Sequence, residues 1–455
     1  MKANLASRVA LLSVLALAPV STPAVATTAG VGTNASLSLT PGNGQISLNL
    51  TNTANQVWTI QNSPDLVNWS AVEQVKVFNG LYHCVYPDAG TVFYRTVYDP
   101  SAQTIVSTTA NALVLPTTNF NYANPALPAS FSVNPILAQD NTPANNPVTD
   151  AAATLGRVLF YDKRLSTNQT IACASCHQQA HGFSDPRQFS VGWDGSVGSR
   201  HAMRIANDRW YQRKHFFWDE RANTLEDQVL GPIQNPIEMG MTLELLTNRL
   251  AAEPFYTNLF AQAFGTPDIT TNRISRALAQ FVRSIVSVQS KYDVGETMNF
   301  SNFTAQENLG RQLFLGQVGN ATCAACHGTD NFVPGPALNN NGLEYPYVDA
   351  GVGGITGNTN DYGKFKVPSL RNIEVSGPYM HDGRFATLDQ VVEFYNSGVV
   401  DNPNLSPPLR NPNGTVRRLN LTATQKSALV AFLKTLTDTA VPTDPKFSDP
   451  FNYGE

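Results

Sequence analysis

Cys173-Ala-Ser-Cys176-His177 and Cys323-Ala-Ala-Cys326-His327 decide how the rest of the chain is read. Both have the form C-x-x-C-H, the attachment signature of c-type haem. The chemistry demands this spacing: two thiols form thioethers with the two vinyl groups, and the adjacent residue delivers an imidazole beneath the iron. A vicinal disulfide, a thioredoxin-like redox pair and half of a zinc site use the same cysteine spacing. A redox pair needs a βαβ context that the flanking pattern lacks. Zinc would use the four thiols without explaining why a His follows each pair. Two copies therefore point to two covalent haems, one on Cys173, Cys176 and His177, the other on Cys323, Cys326 and His327.

Working outward, Leu155-Gly-Arg-Val-Leu-Phe160 precedes the first motif and Leu309-Gly-Arg-Gln-Leu-Phe314 precedes the second. One string at the same approximate offset implies an internal repeat, and a helix packing over its own haem would explain it. Apolar spacing near 3.6 predicts helices over Ala152–Leu165, Leu225–Ile233, Leu243–Ala252, Ile274–Val288, Ala305–Phe314, Leu388–Tyr395 and Thr424–Leu436. A Thr before Leu388 supplies a cap, and Asp389 suits the first turn. The fold class expected is mainly α, with two cytochrome c-like haem domains over 149–295 and 296–440. Residues 35–100 read differently, as alternating segments between Pro-Gly-Asn, Ser-Pro-Asp and Asn-Gly turns. They predict a small all-β, sandwich-like accessory module, followed by a Pro/Asn/Ala-rich linker over 101–148. The lone Cys84 within it reads as a small buried hydrophobe.

The N-terminus reads as an export signal over 1–26: Lys2 and Arg8, then apolar Val9 to Val20, then Ala24-Val25-Ala26 for cleavage. The apolar stretch is too short to span a bilayer comfortably. The expectation is a periplasmic or otherwise exported protein with no membrane span once the signal is removed. A formal charge of −4 and the lack of any basic run argue against nucleic acid as a partner.

Further motifs place these features in a family. Phe216-Phe-Trp218-Asp-Glu-Arg221-Ala matches a family F-W-D-G-R-A segment, with Glu220 in place of the Gly. Gln228-Val-Leu-Gly-Pro232-Ile-Gln-Asn-Pro-Ile-Glu238 and Val367-Pro-Ser-Leu-Arg371 to His381-Asp-Gly-Arg follow in order. Over roughly residues 135–440 the chain resembles the di-haem cytochrome c peroxidase/MauG family. The resemblance implies a peroxidatic haem in the first domain and an electron-transfer haem in the second.

It also implies roles. His177 becomes the proximal ligand of the first haem. Glu238 becomes the general acid/base that moves a proton between the peroxide oxygens, with Gln228 and Pro232 shaping its pocket. Trp218 becomes a charge relay between the haems. The loop Phe189-Ser-Val-Gly192-Trp193-Asp-Gly carries no His where conventional members place a distal ligand, so an open first haem is expected. His327 ligates the second haem from one side. On the other side, fourteen residues after His381, stands Tyr395, where MauG-like members use Tyr and conventional members Met; Met380 is the alternative ligand. A phenolate would stabilise oxidised iron, whereas a thioether raises the potential. The family's inter-haem calcium would fall on Ser376 and Pro378, but His201 replaces its Asn, and imidazole is a poor calcium ligand.

Three functions remain open. One is reduction of hydrogen peroxide with electrons from a small c-type cytochrome or other redox protein. Another is MauG-like oxidation of Trp or Tyr on a partner protein. The third is a plain di-haem electron carrier, which would not need Gln228, Pro232 and Glu238.

Overall fold

A computed structural model describes residues 113–451 except 334–337, together with eight strands and parts of their connections between 12 and 98. Most of the signal reading, the stretch 99–112 and the Cys84 side chain lie outside the described residues. The strands are β1 (Leu12–Leu15), β2 (Ala24–Gly30), β3 (Thr33–Gly42), β4 (Gln45–Thr51), β5 (Gln56–Ser63), β6 (Ser70–Val77), β7 (Leu81–Pro87) and β8 (Phe93–Tyr98). They pair antiparallel in the orders β1-β8-β5-β6 and β2-β3-β4-β7. The strand-bearing stretch thus begins before residue 35, and β1 and the start of β2 fall within the segment read as an export signal.

From 150 onward the chain is helical. α1 (Asp150–Tyr161), α2 (Leu243–Ala251), α3 (Pro254–Phe264) and α4 (Thr271–Ser284) surround the first haem motif; α5 (Lys291–Thr297), α6 (Ala305–Phe314), α7 (Leu388–Glu393) and α8 (Ala423–Lys434) surround the second. Threonines start most of them. Thr304, Thr387 and Thr422 each accept from the third residue of their helix, whose Glu307, Gln390 or Gln425 side chain reaches back to the Thr amide. These reciprocal caps satisfy two otherwise orphaned donors each. Two helices escaped the periodicity argument. In α3, Pro254 reads locally as a breaker but occupies the first turn, where its missing N–H costs nothing. The helix expected over Leu225–Ile233 is instead two single turns, Leu225–Gln228 and Gly231–Gln234.

The repeated L-G-R-x-L-F string has a concrete reason. A Cβ on Gly156 in α1 would lie 2.0 Å from the Ala277 carbonyl oxygen of α4, and one on Gly310 in α6 would lie 1.9 Å from that of Ala428 in α8. In both places the next neighbour is a Phe Cβ at 2.7 Å, from Phe281 and Phe432. A helix-interior Gly costs roughly 0.5–1 kcal/mol relative to Ala, so it persists here because two backbones touch. The string therefore marks a helix–helix crossing, and its last residue in the second copy, Phe314, also lines the cavity around Cys323, Cys326 and His327.

The first core extends beyond the expected 149–295. It includes Tyr122 from the supposed linker and Val441, Phe447 and Phe451 from beyond residue 440. The Val114 amide donates to the Pro450 carbonyl (2.7 Å), and the Tyr161 hydroxyl to that of Phe447 (2.6 Å). Residues 113–148 are thus packed structure, and the C-terminus returns to the first unit. Among the described residues no helix is long and apolar enough to cross a membrane.

Candidate haem sites and the segment between them

Each C-x-x-C-H motif forms a single tight turn, Cys173–Ser175 and Cys323–Ala325, with the His amide bonded to the first Cys carbonyl at 2.9 Å. The four thiols are not joined in disulfides. Burial pushes Cys173 and Cys323 up to about 12 and Cys326 up to about 11. A redox or zinc-binding pair has a lowered thiol pKa; these thiols sit in apolar slots that suit a hydrophobic macrocycle.

The imidazoles are held alike. His177 Nδ1 donates to the Phe183 carbonyl (3.0 Å) and His327 Nδ1 to the Phe332 carbonyl (3.3 Å). Both phenylalanines adopt the left-handed backbone, with φ of 62° and 54°, which turns their carbonyls back toward the ring. The tautomer is thereby fixed with Nε2 as the lone-pair nitrogen, the form a metal requires. Burial lowers both imidazoles, His327 to about 4, so both stay neutral. These features fit haem at both motifs.

Around the second motif a cavity gathers Cys323, Cys326, His327, Met380 and Tyr395. Tyr395 does not extend a regular helix as expected. α7 ends at Glu393, and Phe394–Gly398 forms one π-turn; such bulges recur at functional sites because they re-aim a side chain. Burial raises the Tyr395 phenol, partly offset by a hydrogen bond from Asn341. Asn341 Nδ2 also lies 3.4 Å from the Met380 sulfur. Both candidate ligands therefore stand on the same wall.

On the first side, Glu238 closes a turn, its amide bonded to the Asn235 carbonyl (3.1 Å) and its Oε1 accepting from Asn235 Nδ2 (2.7 Å). Burial raises its carboxyl above the usual range, against the pull of Arg221 and Asn235. Its charge in turn opposes ionisation of Cys173 and Cys176, which sets it on the first-motif side. The His-free loop is clamped to this turn. The Trp193 amide donates to the Glu238 carbonyl (2.9 Å), and its indole to the Pro236 carbonyl (2.8 Å). A Cβ on Gly192 would lie 1.6 Å from the Ile237 carbonyl oxygen. Gln228 and Pro232, on the two short turns, are half-buried.

One segment links the sites. Phe217 packs under Gly231, beside Pro232, and carries the Arg221 guanidinium 3.6 Å over its ring. The next residue, Trp218, lines the second cavity with its indole donating to the His201 carbonyl (2.8 Å) and its ring edge-on to His381 at 6.4 Å. Glu220, where the family has Gly, keeps a φ of 56°. That left-handed backbone costs about 1–2 kcal/mol. The Tyr211 hydroxyl and the Arg213 guanidinium (2.8 Å) hold its carboxylate in place.

Calcium does not fit. His201 Nε2 lies 3.0 Å from the Ser184 hydroxyl, and Nδ1 donates to the Arg187 and Gln188 carbonyls (3.2 and 3.3 Å). Ser376 accepts from the Arg204 guanidinium (3.2 Å), which also donates to the Ser369 carbonyl. A half-buried cation already sits where a second would be repelled. Sequence reasoning assigned no role to Phe217, Arg221, Trp193 or Asn341. Only the adjacency of Phe217 and Arg221 to the Trp218 motif could have found any of them.

Residues 150–297 match the family model for di-haem cytochrome c peroxidase. The chain is 35% identical over 307 residues to a methylamine utilization protein MauG of Methylorubrum extorquens, covering 65% of this chain and 80% of the relative. It is also 35% identical over 317 residues to a cytochrome c551 peroxidase of Nitrosomonas europaea, covering 68% and 85%. The crystal structure of a MauG-like protein associated with microbial copper homeostasis superposes with a TM-score of 0.62 at 35% identity, over 70% of this chain and 99% of that one. The chain belongs to the di-haem cytochrome c peroxidase/MauG family, and it is an oxidoreductase of the haem peroxidase type.

Proposed function

We propose that this peroxidase reduces hydrogen peroxide on the Glu238 side of the first haem, with electrons from a small c-type cytochrome or similar donor entering through the second. One observation carries the reading: a half-buried carboxyl with a raised pKa, whose charge opposes ionisation of Cys173 and Cys176, stands on a turn locked by a loop without a His. Haem, when bound, supplies the iron on which the O–O bond is split. Glu238 accepts the proton of the inner oxygen and returns it to the outer one, which then leaves as water. Asn235 and Arg221 keep the carboxyl oriented, and Phe217 keeps Arg221 in place. Trp218, with Phe217 turned toward the first site and its own ring toward the second, carries electrons between them. His177 and His327 would hold the two haems through their Nε2 atoms, and Tyr395 would be the further residue offered to the second.

Tyr395 also supports a MauG-like branch, in which the oxidised protein acts on Trp or Tyr of a partner protein. We further propose that the chain works as an exported enzyme without inter-haem calcium, and that the strands over 35–100 form an accessory β module.

The test is to mix the fully oxidised protein with one equivalent of hydrogen peroxide, without prior reduction, and follow the optical bands. The wild type is expected to respond at once. Glu238→Gln is expected to slow this response by about 10²–10⁴-fold with both haems still attached. An unchanged rate removes Glu238 from the chemistry. A wild type silent until reduced would mean that the first site rests closed.

A further inference from the structure

A ladder of tyrosines leads from the wall of the second-haem cavity to solvent, and nothing in the peroxidase mechanism uses it. Asn340 lines that cavity beside His327. Its Oδ1 accepts from Asn402 Nδ2 (3.2 Å), and Asn402 Oδ1 accepts from the Tyr347 hydroxyl (2.8 Å). Its Nδ2 donates to the Tyr362 carbonyl (3.3 Å). Tyr347 and Tyr362 meet edge to face at 6.4 Å, and Tyr345 meets Tyr347 edge to face at 5.2 Å. Gly363 permits the convergence: at a φ of 70°, a Cβ there would lie 2.5 Å from Asn340 Nδ2 and 2.6 Å from the Tyr347 ring. At the outer end Tyr345 is 50% exposed and Val348, three residues on, 89% exposed. Three tyrosines can cluster at a surface for packing alone. This cluster differs in being tied at one end, through Asn402 and Asn340, to the cavity wall and in reaching water at the other.

We propose that Tyr345 is the surface residue at which oxidising equivalents drawn from peroxide leave the protein, delivered through Tyr347. The inference rests on the peroxidase reading above and deepens it by naming where a one-electron donor is oxidised. Tyr345 gives one electron inward and its phenolic proton to water. The radical is then refilled by a donor, the expected class being a phenol, including a tyrosine on another protein. Without a donor, two such radicals couple through a carbon–carbon bond. One hydrogen peroxide and two tyrosines then yield one dityrosine and two waters.

The experiment treats the full haem-loaded chain with hydrogen peroxide and no donor. It follows the haem bands in the same sample, reads dityrosine fluorescence, and maps cross-linked peptides by mass spectrometry. The expected result is a cross-link at Tyr345 that is lost in Tyr345→Phe and mostly lost in Tyr347→Phe. Tyr345 is exposed, so its variant tests the site even if Tyr347→Phe folds poorly. Haem bands that respond while cross-linking ignores both substitutions would overturn the ladder and leave the peroxidase standing. Haem bands that do not respond would bring down the peroxidase reading, and the ladder with it.

Discussion

In the first haem unit Gly156 lies against Ala277, and the Phe183 carbonyl receives the His177 proton. In the second, Gly310 lies against Ala428 and the Phe332 carbonyl receives that of His327. Up to this point the two units are one design. They part company in the segments that surround each motif. The first carries the Glu238 turn, locked by Trp193 and lined by Phe217 and Arg221. The second carries a π-turn bearing Tyr395 in a cavity shared with Met380. The elements that place the two motif imidazoles are repeated, whereas the elements proposed to shape the chemistry differ between the units. Duplication supplies a haem holder, and chemistry is written on the loops that close it.

The first test bears on the shared part. Gly156→Ala and Gly310→Ala each force a methyl to within 2.0 and 1.9 Å of a backbone oxygen, which cannot yield as a flexible side chain would. Each is expected to cost about 3 kcal/mol, the upper end for overpacking, less about 1 kcal/mol regained in helix propensity. Thermal unfolding followed at the haem bands should show each variant loosening its own unit first. Unequal costs would mean that the repeat is one of sequence and not of packing.

A smaller difference lies in the buried arginines. Arg371 makes a paired contact with Asp293 (2.7 and 2.8 Å), and Arg283 makes one with Glu226 (2.6 and 2.9 Å). The Arg371 side chain is 0% exposed and that of Asp293 5%, whereas the Glu226 side chain is 18% exposed. Asp293 also caps α5, accepting from the Ser290 amide and hydroxyl. Asp293→Asn is therefore expected to cost about 3 kcal/mol, as for other broken buried pairs. Glu226→Gln should cost about half as much, because water can partly replace the lost charge. Denaturant midpoints of the two variants give the comparison.

What the sequence revealed follows the same division. The two C-x-x-C-H motifs, the Thr387 cap and the repeat are local patterns, visible because thioether chemistry, orphaned helix amides and a backbone contact each demand fixed residues at fixed spacing. The π-turn under Tyr395 was not visible, because nothing in Val391-Val-Glu-Phe-Tyr395 breaks a helical period. The clamp of Gly192 and Trp193 on the Glu238 turn joins segments more than forty residues apart. The return of Phe447 and Phe451 to the first core joins segments nearly three hundred apart. Long-range closure depends on which surfaces remain unburied after the helices pack, and no window of sequence states that.

The smallest expected effect separates the units by pH. Beside the second motif, burial and then the facing Asp330 carboxylate push Glu296 up to about 8. The first motif has Ala180 where the second has Asp330, three residues after the His, so the pairing has no counterpart there. Asp293 adds to the repulsion and Arg371 relieves it, while the Tyr292 hydroxyl donates to Asp330 (3.1 Å). An acid with a raised folded pKa holds its proton more firmly in the fold than in the unfolded chain. Its stabilisation is complete below the ordinary glutamate range and is lost as pH rises through about 8. Glu296 is half-buried, so solvent screening reduces the effect to something on the order of 1 kcal/mol. Between pH 5 and pH 9 the second unit of the wild type should lose melting temperature relative to the first. Glu296→Gln, which keeps a donor toward Asp330 but cannot ionise, should remove that loss. If both proteins lose the same amount, the proton shared by Glu296 and Asp330 is not what distinguishes the units.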